Sequence, residues 1–192
     1  MSDEFETEND SAPLPIFSSV RSRTISFYLS GELREPSAYT DWFHVIRNAS
    51  PNDEIKIHIN SNGGNGSTVT QFLRVLAETP AEVTASVEGD CMSAATMIFL
   101  AADRVEVSPH SIFLFHNYSG GAIGKGSDVY GKVSHLQRWS EELLRDVYKG
   151  FFSEEELVSI LNGKDMWMDN AEVATRLKRR ADFMKKENKS KR

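Results

Sequence analysis

Ser93 stands where the sequence changes from a strand-like pattern to a short apolar run, and a serine in this place could act as a nucleophile. Residues 82–88 are predicted to form a strand, and residues 94–102 a helix that begins directly after Ser93. At a helix N-terminus the first backbone N–H groups have no partner and can stabilise negative charge. An exposed hydroxyl beside such donors is what acyl transfer requires, although serine is also a common helix N-cap.

Serine chemistry also needs a base that takes the hydroxyl proton and an acceptor that fixes the tautomer of that base. Three of the five histidines are predicted to be surface residues, because they fall inside helices or on the polar face of a strand: His44, His58 and His135. His110 and His116 flank a predicted strand, a position that suits a site better. Asp165 directly precedes a short apolar segment and is a candidate acceptor. The spacing of these residues alone does not choose among them.

Cys91 is a second candidate nucleophile in the same turn. It lies two residues before Ser93, on the approach to the turn instead of at its apex. A cysteine near the end of a core strand is more often a buried structural thiol than a reactive one. We therefore interpret Cys91 as structural and keep Ser93 as the candidate nucleophile.

The elements that would position these residues form a repeated pattern of strand, turn and helix. Six segments are predicted as strands: 24–30, 55–59, 82–88, 104–107, 111–115 and 165–168. Helical spacing or capping signals predict helices at 39–46 with Ser37 as N-cap, 69–76, 94–102, 128–148, 153–162 and from Asp169 onward. This pattern predicts an α/β domain whose functional residues lie at the carboxyl ends of the strands.

Two further segments are rich in glycine. Residues 60–66 follow the second predicted strand as a turn, in which backbone N–H groups can approach a ligand closely. This turn is not a P-loop, because no Gly-Lys-Ser/Thr follows, and it is not a dinucleotide-binding fingerprint. Residues 119–127 are predicted to be extended or mobile.

Composition limits the class of protein. With 192 residues, of which 40% are hydrophobic, the chain can form one domain, predicted at 16–180 between a flexible acidic segment at 1–15 and a basic tail at 181–192. No apolar run has the length of a membrane span, and the acidic start is not that of a secretory signal. The single cysteine cannot form an internal disulfide. We therefore expect a cytoplasmic protein with no membrane partner.

The net charge is −6, and the charged residues are distributed unevenly along the chain. Residues 1–10 hold five acidic side chains, and residues 176–192 hold nine Lys or Arg against two acidic residues. A basic tail can bind nucleic acid, but only Phe183 supplies an aromatic ring there, so nucleic acid is not expected as a partner. The acidic and basic ends could also bind each other.

Five segments occur in the order and spacing of the proteolytic subunit of the Clp protease family. They are residues 59–64, 89–95, 112–116, 120–128 and 164–168. The chain therefore resembles this family, which belongs to the Clp and crotonase fold superfamily, over roughly residues 16–175. Residues 16–18 resemble the axial N-terminal segment of the family.

The resemblance implies repeated β-β-α units and a protruding helix, at about residues 128–149, that stacks rings. It implies Ser93 as nucleophile, His116 as general base and Asp165 as the acid that orients the base. The backbone N–H groups of Gly64 and Ala94 would form the oxyanion hole. The residues implied for substrate binding are Gly63, Gly120, Gly121 and Ala122. No metal or other cofactor is expected, and ATP would be used only by a partner protein.

The function implied is that of a serine endopeptidase that cleaves unfolded or extended polypeptides inside a ring-shaped chamber. Members of the family assemble as homo-oligomers of two stacked heptameric rings, and a hexameric AAA+ unfoldase often gates them. We therefore expect a homo-oligomer, polypeptide substrates and an AAA+ unfoldase as partners.

Some residues depart from the usual pattern of the family. Asn62 replaces the usual proline of the first motif, and Cys91 and Met92 replace the usual small residues before the nucleophile. Residues 94–95 and 101–103 are more similar to phage-encoded members, which include head-maturation proteases.

These departures keep other functions open. One alternative is a phage head-maturation protease that acts without an unfoldase, and another is a non-catalytic ring subunit or scaffold. A third is an acyl-CoA enzyme similar to enoyl-CoA hydratase, which shares the strand-turn-helix unit and the pair of oxyanion amides. That enzyme is usually longer and has no need of a Ser-His-Asp set.

Overall fold

A six-stranded sheet forms the centre of the computed structural model, which describes residues 23–190. The strands are β1 (Thr24–Leu33), β2 (Glu54–Gly64), β3 (Glu82–Met92), β4 (Arg104–Val107), β5 (Ile112–Phe115) and β6 (Met166–Asp169). Their order in the sheet is β1-β2-β3-β5-β6, with β4 also paired to β3. Every pair is parallel except β5 with β6. Parallel order brings the carboxyl ends of successive strands to one edge, where open α/β sheets place their sites.

Helices connect these strands. They are α1 (Thr40–Arg47), preceded by a 3-10 turn (Pro36–Tyr39), α2 (Gly66–Glu78), α3 (Ala94–Ala101), α4 (Gly126–Val147), α5 (Glu154–Leu161) and α6 (Asn170–Ser190). The predicted α/β class is confirmed, and the long helix expected near 128–149 is present as α4. No helix within residues 23–190 is long and apolar enough to span a bilayer.

The helices cover one face of the sheet, as the alternation in β2 requires. Ile55, Ile57 and Ile59 are fully buried in the core, whereas Lys56 and His58 lie between them on the opposite face and are partly exposed. That opposite face is occupied by ion pairs such as Lys56–Glu106 at 2.8 Å. Burial of the apolar rows against α1, α2 and α3 is the main driving force for this arrangement.

An aromatic cluster packs against β5. Phe115 of β5 contacts the rings of Tyr148, Phe151 and Phe152, with centroids 5.1 to 5.5 Å apart. These three residues follow or end α4, so the cluster anchors the end of that helix beneath β5. This anchoring places the middle of α4 beside the carboxyl edge of the sheet.

The edge of β3 is shared by two strands. β4 pairs with residues 84–87 of β3, and β5 pairs with residues 90–92. Between them the chain turns at His110, which has a φ of 67°. Because β5 begins farther along β3 than β4 does, its last residues lie beside the turn that carries Ser93.

Two strands are longer than the sequence predicted. β2 continues to Gly64, so most of the glycine-rich segment expected as a turn is paired with β1. β3 continues to Met92 and includes Gly89. In both ladders the register shifts, between Ser30 and Glu32 and between Ile59 and Ser61, so bulges allow the strands to continue.

The capping predictions have different outcomes. Ser153 and Glu156 form a complete capping box at α5, as predicted. Asp169 accepts a hydrogen bond from the N–H of Glu172 at 2.9 Å, which is half of the predicted box. The prediction of Ser37 as N-cap is wrong, because the residues after Pro36 form a 3-10 turn and α1 begins only at Thr40.

The predicted domain boundaries lie near the two ends of the chain. The segment predicted to be flexible at 1–15, and residues 16–18, lie outside the described residues. The predicted boundary between domain and basic tail, at 180–181, lies inside α6.

Candidate active site

Ser93 lies at the sharp turn between β3 and α3 and has a strained backbone. Its φ is 53° and its ψ is −126°, a region that residues with a side chain rarely occupy. Ser93 is the N-cap of α3, yet its side chain makes no capping hydrogen bond. Its hydroxyl therefore remains available to another partner, which favours a functional role over a capping role.

Hydrogen bonds on both sides hold the backbone of Ser93. Its N–H donates to the carbonyl of Leu114 on β5 at 2.8 Å. Its carbonyl accepts from the N–H of Thr96 at 3.0 Å and from the Oγ1 of Thr96 at 2.6 Å. The buried Oγ1 of Thr96 also lies 2.7 Å from the hydroxyl of Tyr148. The strained turn is thus fixed by the neighbouring strand and by the end of α4.

Gly63 packs directly against the Ser93 turn. A Cβ at Gly63 would lie 2.6 Å from the Cβ of Ser93 and 2.6 Å from the carbonyl oxygen of Met92. Its φ of +89° is also in the region that favours glycine. The N–H of Gly63 is already bound to the Oγ of Ser61 at 3.1 Å. Gly63 therefore supports the turn by its lack of a side chain.

Gly64 and Ala94, whose N–H groups are predicted to form the oxyanion hole, both lie close to the Ser93 turn. Ala94 is the first residue of α3, and within residues 23–190 its N–H has no hydrogen-bond partner. Gly64 lies opposite Leu33, whose carbonyl accepts from the N–H of Asn65 at 2.9 Å. In a parallel ladder, the residue opposite turns its own N–H to the other side, here toward β3 and Ser93.

A groove of about 590 Å³ opens in front of these residues. Five of the predicted site residues line it: Gly64, Ser93, Ala94, His116 and Gly120. Four others do not line it: Gly63, which lies behind Ser93, and Gly121, Ala122 and Asp165. The structure thus brings the predicted nucleophile, base and oxyanion amides to one cavity.

His116 and Asp165 lie across from each other at the end of a strand pair. The antiparallel ladder of β5 and β6 ends with Phe115 opposite Met166, so the next residues on the two strands are His116 and Asp165. Because β6 pairs with β5 on the side away from β3, Asp165 lies on the other side of β5 from Ser93. Within residues 23–190 no hydrogen bond joins the side chains of Ser93, His116 and Asp165.

The structure separates the alternatives that the sequence left open. His110 lies at the amino end of β5 and does not line the groove. Cys91 is completely buried within β3, and burial raises the pKa of its thiol well above the usual range. A buried thiol with a raised pKa forms little thiolate and is a poor nucleophile.

Several groove residues were missed by the sequence interpretation. His135 on α4 was predicted to be a surface residue, and it is exposed, but it also lines the groove. An apolar part of the wall comes from three helices: Val69, Met97, Leu136, Trp139 and Leu143. Trp139 lies 3.2 Å from the position of a Cβ at Gly66, so α4 lies against the start of α2. Helical spacing could have indicated only that such residues lie on apolar helix faces, because their place in the groove depends on how α2, α3 and α4 pack together.

A metal centre is not evident in the described part of the chain. Within residues 23–190 no group of three or more His, Cys, Asp or Glu is arranged to hold a metal ion.

The sequence is similar to known proteins of one family. The sequence model of the Clp protease family matches residues 16–176. A Rhizobium etli protein named ATP-dependent Clp protease proteolytic subunit 3 is 25% identical over 80% of this chain and 79% of its own length. A Pseudomonas aeruginosa subunit 2 is 28% identical over 68% of this chain and 65% of its own length.

A Bacteroides thetaiotaomicron proteolytic subunit is 24% identical over 76% of this chain. The chain spans somewhat less than two thirds of that relative, 64%. The family match covers most of the residues described by the structure and contains the Ser93 turn, the groove and both strands that carry His116 and Asp165. The chain belongs to the Clp protease family.

Proposed function

We propose that this chain is a serine endopeptidase that hydrolyses extended polypeptides through an acyl-enzyme, with Ser93 as nucleophile. The observation that carries the proposal is the uncapped hydroxyl of Ser93, at a strained turn that opens onto the same groove as His116. Membership of a peptidase family supports the same reaction class.

In the proposed reaction His116 accepts the proton of Ser93 as the Oγ attacks the carbonyl carbon of the substrate. The N–H groups of Gly64 and Ala94 stabilise the negative charge on the carbonyl oxygen. His116 then protonates the leaving amine. In deacylation His116 accepts a proton from the water that attacks the acyl-enzyme, and it returns the proton to Ser93 as the acyl group leaves. Asp165 fixes the tautomer of His116 and stabilises the imidazolium.

The absence of hydrogen bonds among the three side chains fits a site that closes when substrate binds or rings assemble. Catalytic hydrogen bonds are often long in unliganded enzymes and tighten in the substrate complex. The backbone elements that carry the three residues are already fixed by ladder hydrogen bonds. Closure therefore requires side-chain rotation and a small shift after β5, without refolding.

The groove favours an extended substrate. Glycine-rich backbone that enters the groove at Gly120 and continues through Gly121 and Ala122 would pair with the substrate main chain by β-addition, whereas Gly63 supports the Ser93 turn from behind. The wall formed by the apolar side chains of α2, α3 and α4 would receive an apolar side chain next to the cleaved bond.

The assembly proposed is a homo-oligomer of two stacked heptameric rings in the cytoplasm, in which α4 provides the contact between rings. Tyr130 on α4 is 76% exposed, which leaves an aromatic side chain available for such a contact. The relatives are named ATP-dependent. We therefore propose an AAA+ unfoldase as the partner that would use ATP.

Two alternative functions each have one observation in their favour. Cys91 and Met92, which replace the usual small residues before the nucleophile, favour a non-catalytic ring subunit. The small residues that follow Ser93 favour a phage-like maturation protease that acts without an unfoldase.

The first experiment labels the purified, size-characterised oligomer with a fluorophosphonate, next to Ser93→Ala and the control Ser26→Ala. Ser26 is exposed on β1, so its loss leaves the groove unchanged. Label on the native protein and on Ser26→Ala, but not on Ser93→Ala, would establish an activated serine. No label on an intact particle, and no peptide hydrolysis when candidate unfoldases are added, would contradict the proposal and favour the scaffold.

A further inference from the structure

Asn117 follows directly after His116 and joins three elements through its side-chain amide. Its Nδ2 donates to the carbonyl of Leu161 at 3.0 Å. Its Oδ1 accepts from the Oγ of Ser140 at 2.8 Å and from the N–H of Tyr118 at 2.8 Å. Ser140 is 3% exposed, so this part of the network is shielded from water. Hydrogen bonds are stronger in such a shielded environment than in water.

Each partner of Asn117 belongs to a different part of the site. Ser140 lies on α4, in the wall of the groove. Leu161 is the last residue of α5, and its carbonyl has no partner within that helix. The short turn from Leu161 to Asp165 is closed by backbone hydrogen bonds from the N–H groups of residues 162, 163 and 164. Asn117 is therefore linked through a fixed turn to the segment that carries Asp165.

We propose that Asn117 is a positioning residue that holds His116 in register with Asp165. The ladder of β5 and β6 ends at Phe115 and Met166, one residue before His116 and Asp165. Beyond this end, Asn117 is the next connection between the two segments. The inference rests on the proposed function, because this register matters for activity only if His116 is the base.

The proposal predicts a specific kind of damage when Asn117 is changed. Asn117 lies in the wall of the groove, but both polar atoms of its side chain are already bonded to Leu161, Ser140 and Tyr118, so its loss should lower kcat and leave KM nearly unchanged. If His116 loses its register with Asp165, the carboxylate no longer stabilises the imidazolium that forms as Ser93 attacks. The loss should therefore appear in kcat and not in KM, whereas a general structural defect would change both.

The test compares Asn117→Ala, Asn117→Asp and Ser140→Ala with the control Asn162→Ala, all in the full chain. Asn117→Asp keeps the acceptor for Ser140 and Tyr118 but loses the donor to Leu161. Asn162 is exposed in the neighbouring turn, and no hydrogen bond of its side chain is present within residues 23–190.

We expect Asn117→Ala and Asn117→Asp to lower kcat on a fluorogenic peptide by about 10-fold or more, since small misplacements of catalytic groups are costly. KM should stay within about 2-fold of the parent value, and Asn162→Ala should match its parent. Ser140→Ala should give a smaller loss of kcat. A loss of activity that comes mainly from a higher KM would overturn the proposal, as would unchanged kcat.

A crystal structure of Asn117→Asp gives a readout that is independent of activity. The proposal expects residues 116–118 to move away from α5 relative to the parent structure, while β5 and β6 stay paired. If residues 116–118 keep their position, the proposal is wrong. If the parent shows no hydrolysis that depends on Ser93, the proposed function fails, and this comparison still decides whether Asn117 holds His116 in register.

Discussion

At Ser93 the backbone strain is the property that distinguishes this turn from an ordinary helix start. A residue in such a region costs on the order of 1–3 kcal/mol, so the surrounding structure must hold it there. Here Thr96 binds the carbonyl of Ser93, and Gly63 leaves room for its Cβ. The sequence predicted the position of the turn, but not its strain, because contacts from distant segments determine that strain.

The first prediction concerns the contact of Gly63 with Ser93. Gly63→Ala should destabilise the protein by about 2–4 kcal/mol, because an added methyl overpacks the turn and the positive φ disfavours alanine. Even where the protein folds, the shifted turn should reduce fluorophosphonate labelling by about 10-fold or more. Urea unfolding and labelling rates measure the two effects.

Gly131→Ala is the matched control for this change. Gly131 lies in the interior of α4 with nothing within 4 Å of the position of a Cβ. Alanine should raise the free energy of unfolding there by about 0.5–1 kcal/mol, because it favours the helix. If the two variants labelled at equal rates, the contact between Gly63 and Ser93 would have no role in reactivity.

The second prediction concerns the relay from Tyr148 through Thr96 to Ser93. Burial raises the pKa of Tyr148, so its hydroxyl stays protonated and can donate to Thr96, which donates to the Ser93 carbonyl. Thr96→Val should lower the free energy of unfolding by about 1–3 kcal/mol, because the buried Tyr148 hydroxyl loses its partner. Adding Tyr148→Phe should recover part of that loss, which a double-mutant cycle by urea unfolding measures. Strict additivity of the two changes would argue against the relay.

At the scale of elements, all six strands were predicted, but alternation of apolar residues indicated only β1 and β2, in which one face is buried. The ends of β2 and β3 were not predicted, since a glycine-rich segment reads as a turn until a neighbouring strand pairs with it. Gly64 is paired in this way with Leu33. His135 was placed correctly on a helix, yet its position in the groove depends on how the aromatic cluster around Phe115 anchors α4.

The ion pair between α5 and α6 gives the third prediction. Both terminal nitrogens of the Arg176 guanidinium donate to the carboxylate of Glu156, at 3.0 and 2.7 Å, and this contact lowers the pKa of Glu156 to about 2. An acid whose pKa falls on folding stabilises the protein at pH values above its pKa in the unfolded chain, which is about 4.3 for glutamate. That stabilisation is lost as the pH falls toward 2. Glu156→Gln should therefore be less stable than its parent at pH 7, and the difference should vanish by about pH 2.

Unfolding midpoints between pH 7 and pH 2 test this dependence, with Glu142→Gln as the control. Glu142 is exposed on α4, and within residues 23–190 its side chain has no hydrogen bond or ion pair. Glutamine at 156 can still accept the N–H of Ser153, so the variant removes charge and keeps the cap. A stability difference that did not change with pH would show that the pair contributes by packing alone.

At the scale of the whole molecule, the single chain leaves apolar surface that its own fold does not cover. Ile123 and Tyr130 are exposed before and within the first turns of α4, and Val133 is 39% exposed. An isolated chain gains nothing from exposing such side chains on a helix, whereas an interface between copies would bury them. The oligomer that we propose explains this exposure without any change in fold.

The last prediction tests that explanation. Tyr130→Glu places a charge in the proposed contact between rings and should halve the native mass, from two rings to one, because an unpaired charge is costly to bury. Lys132→Glu introduces the same residue on the opposite side of α4 and should keep the parent mass. Native mass spectrometry gives both masses, and circular dichroism shows that α4 remains folded. An unchanged mass for Tyr130→Glu would exclude this face of α4 from the ring contact, while the single-ring variant would show whether Ser93 labels without stacking.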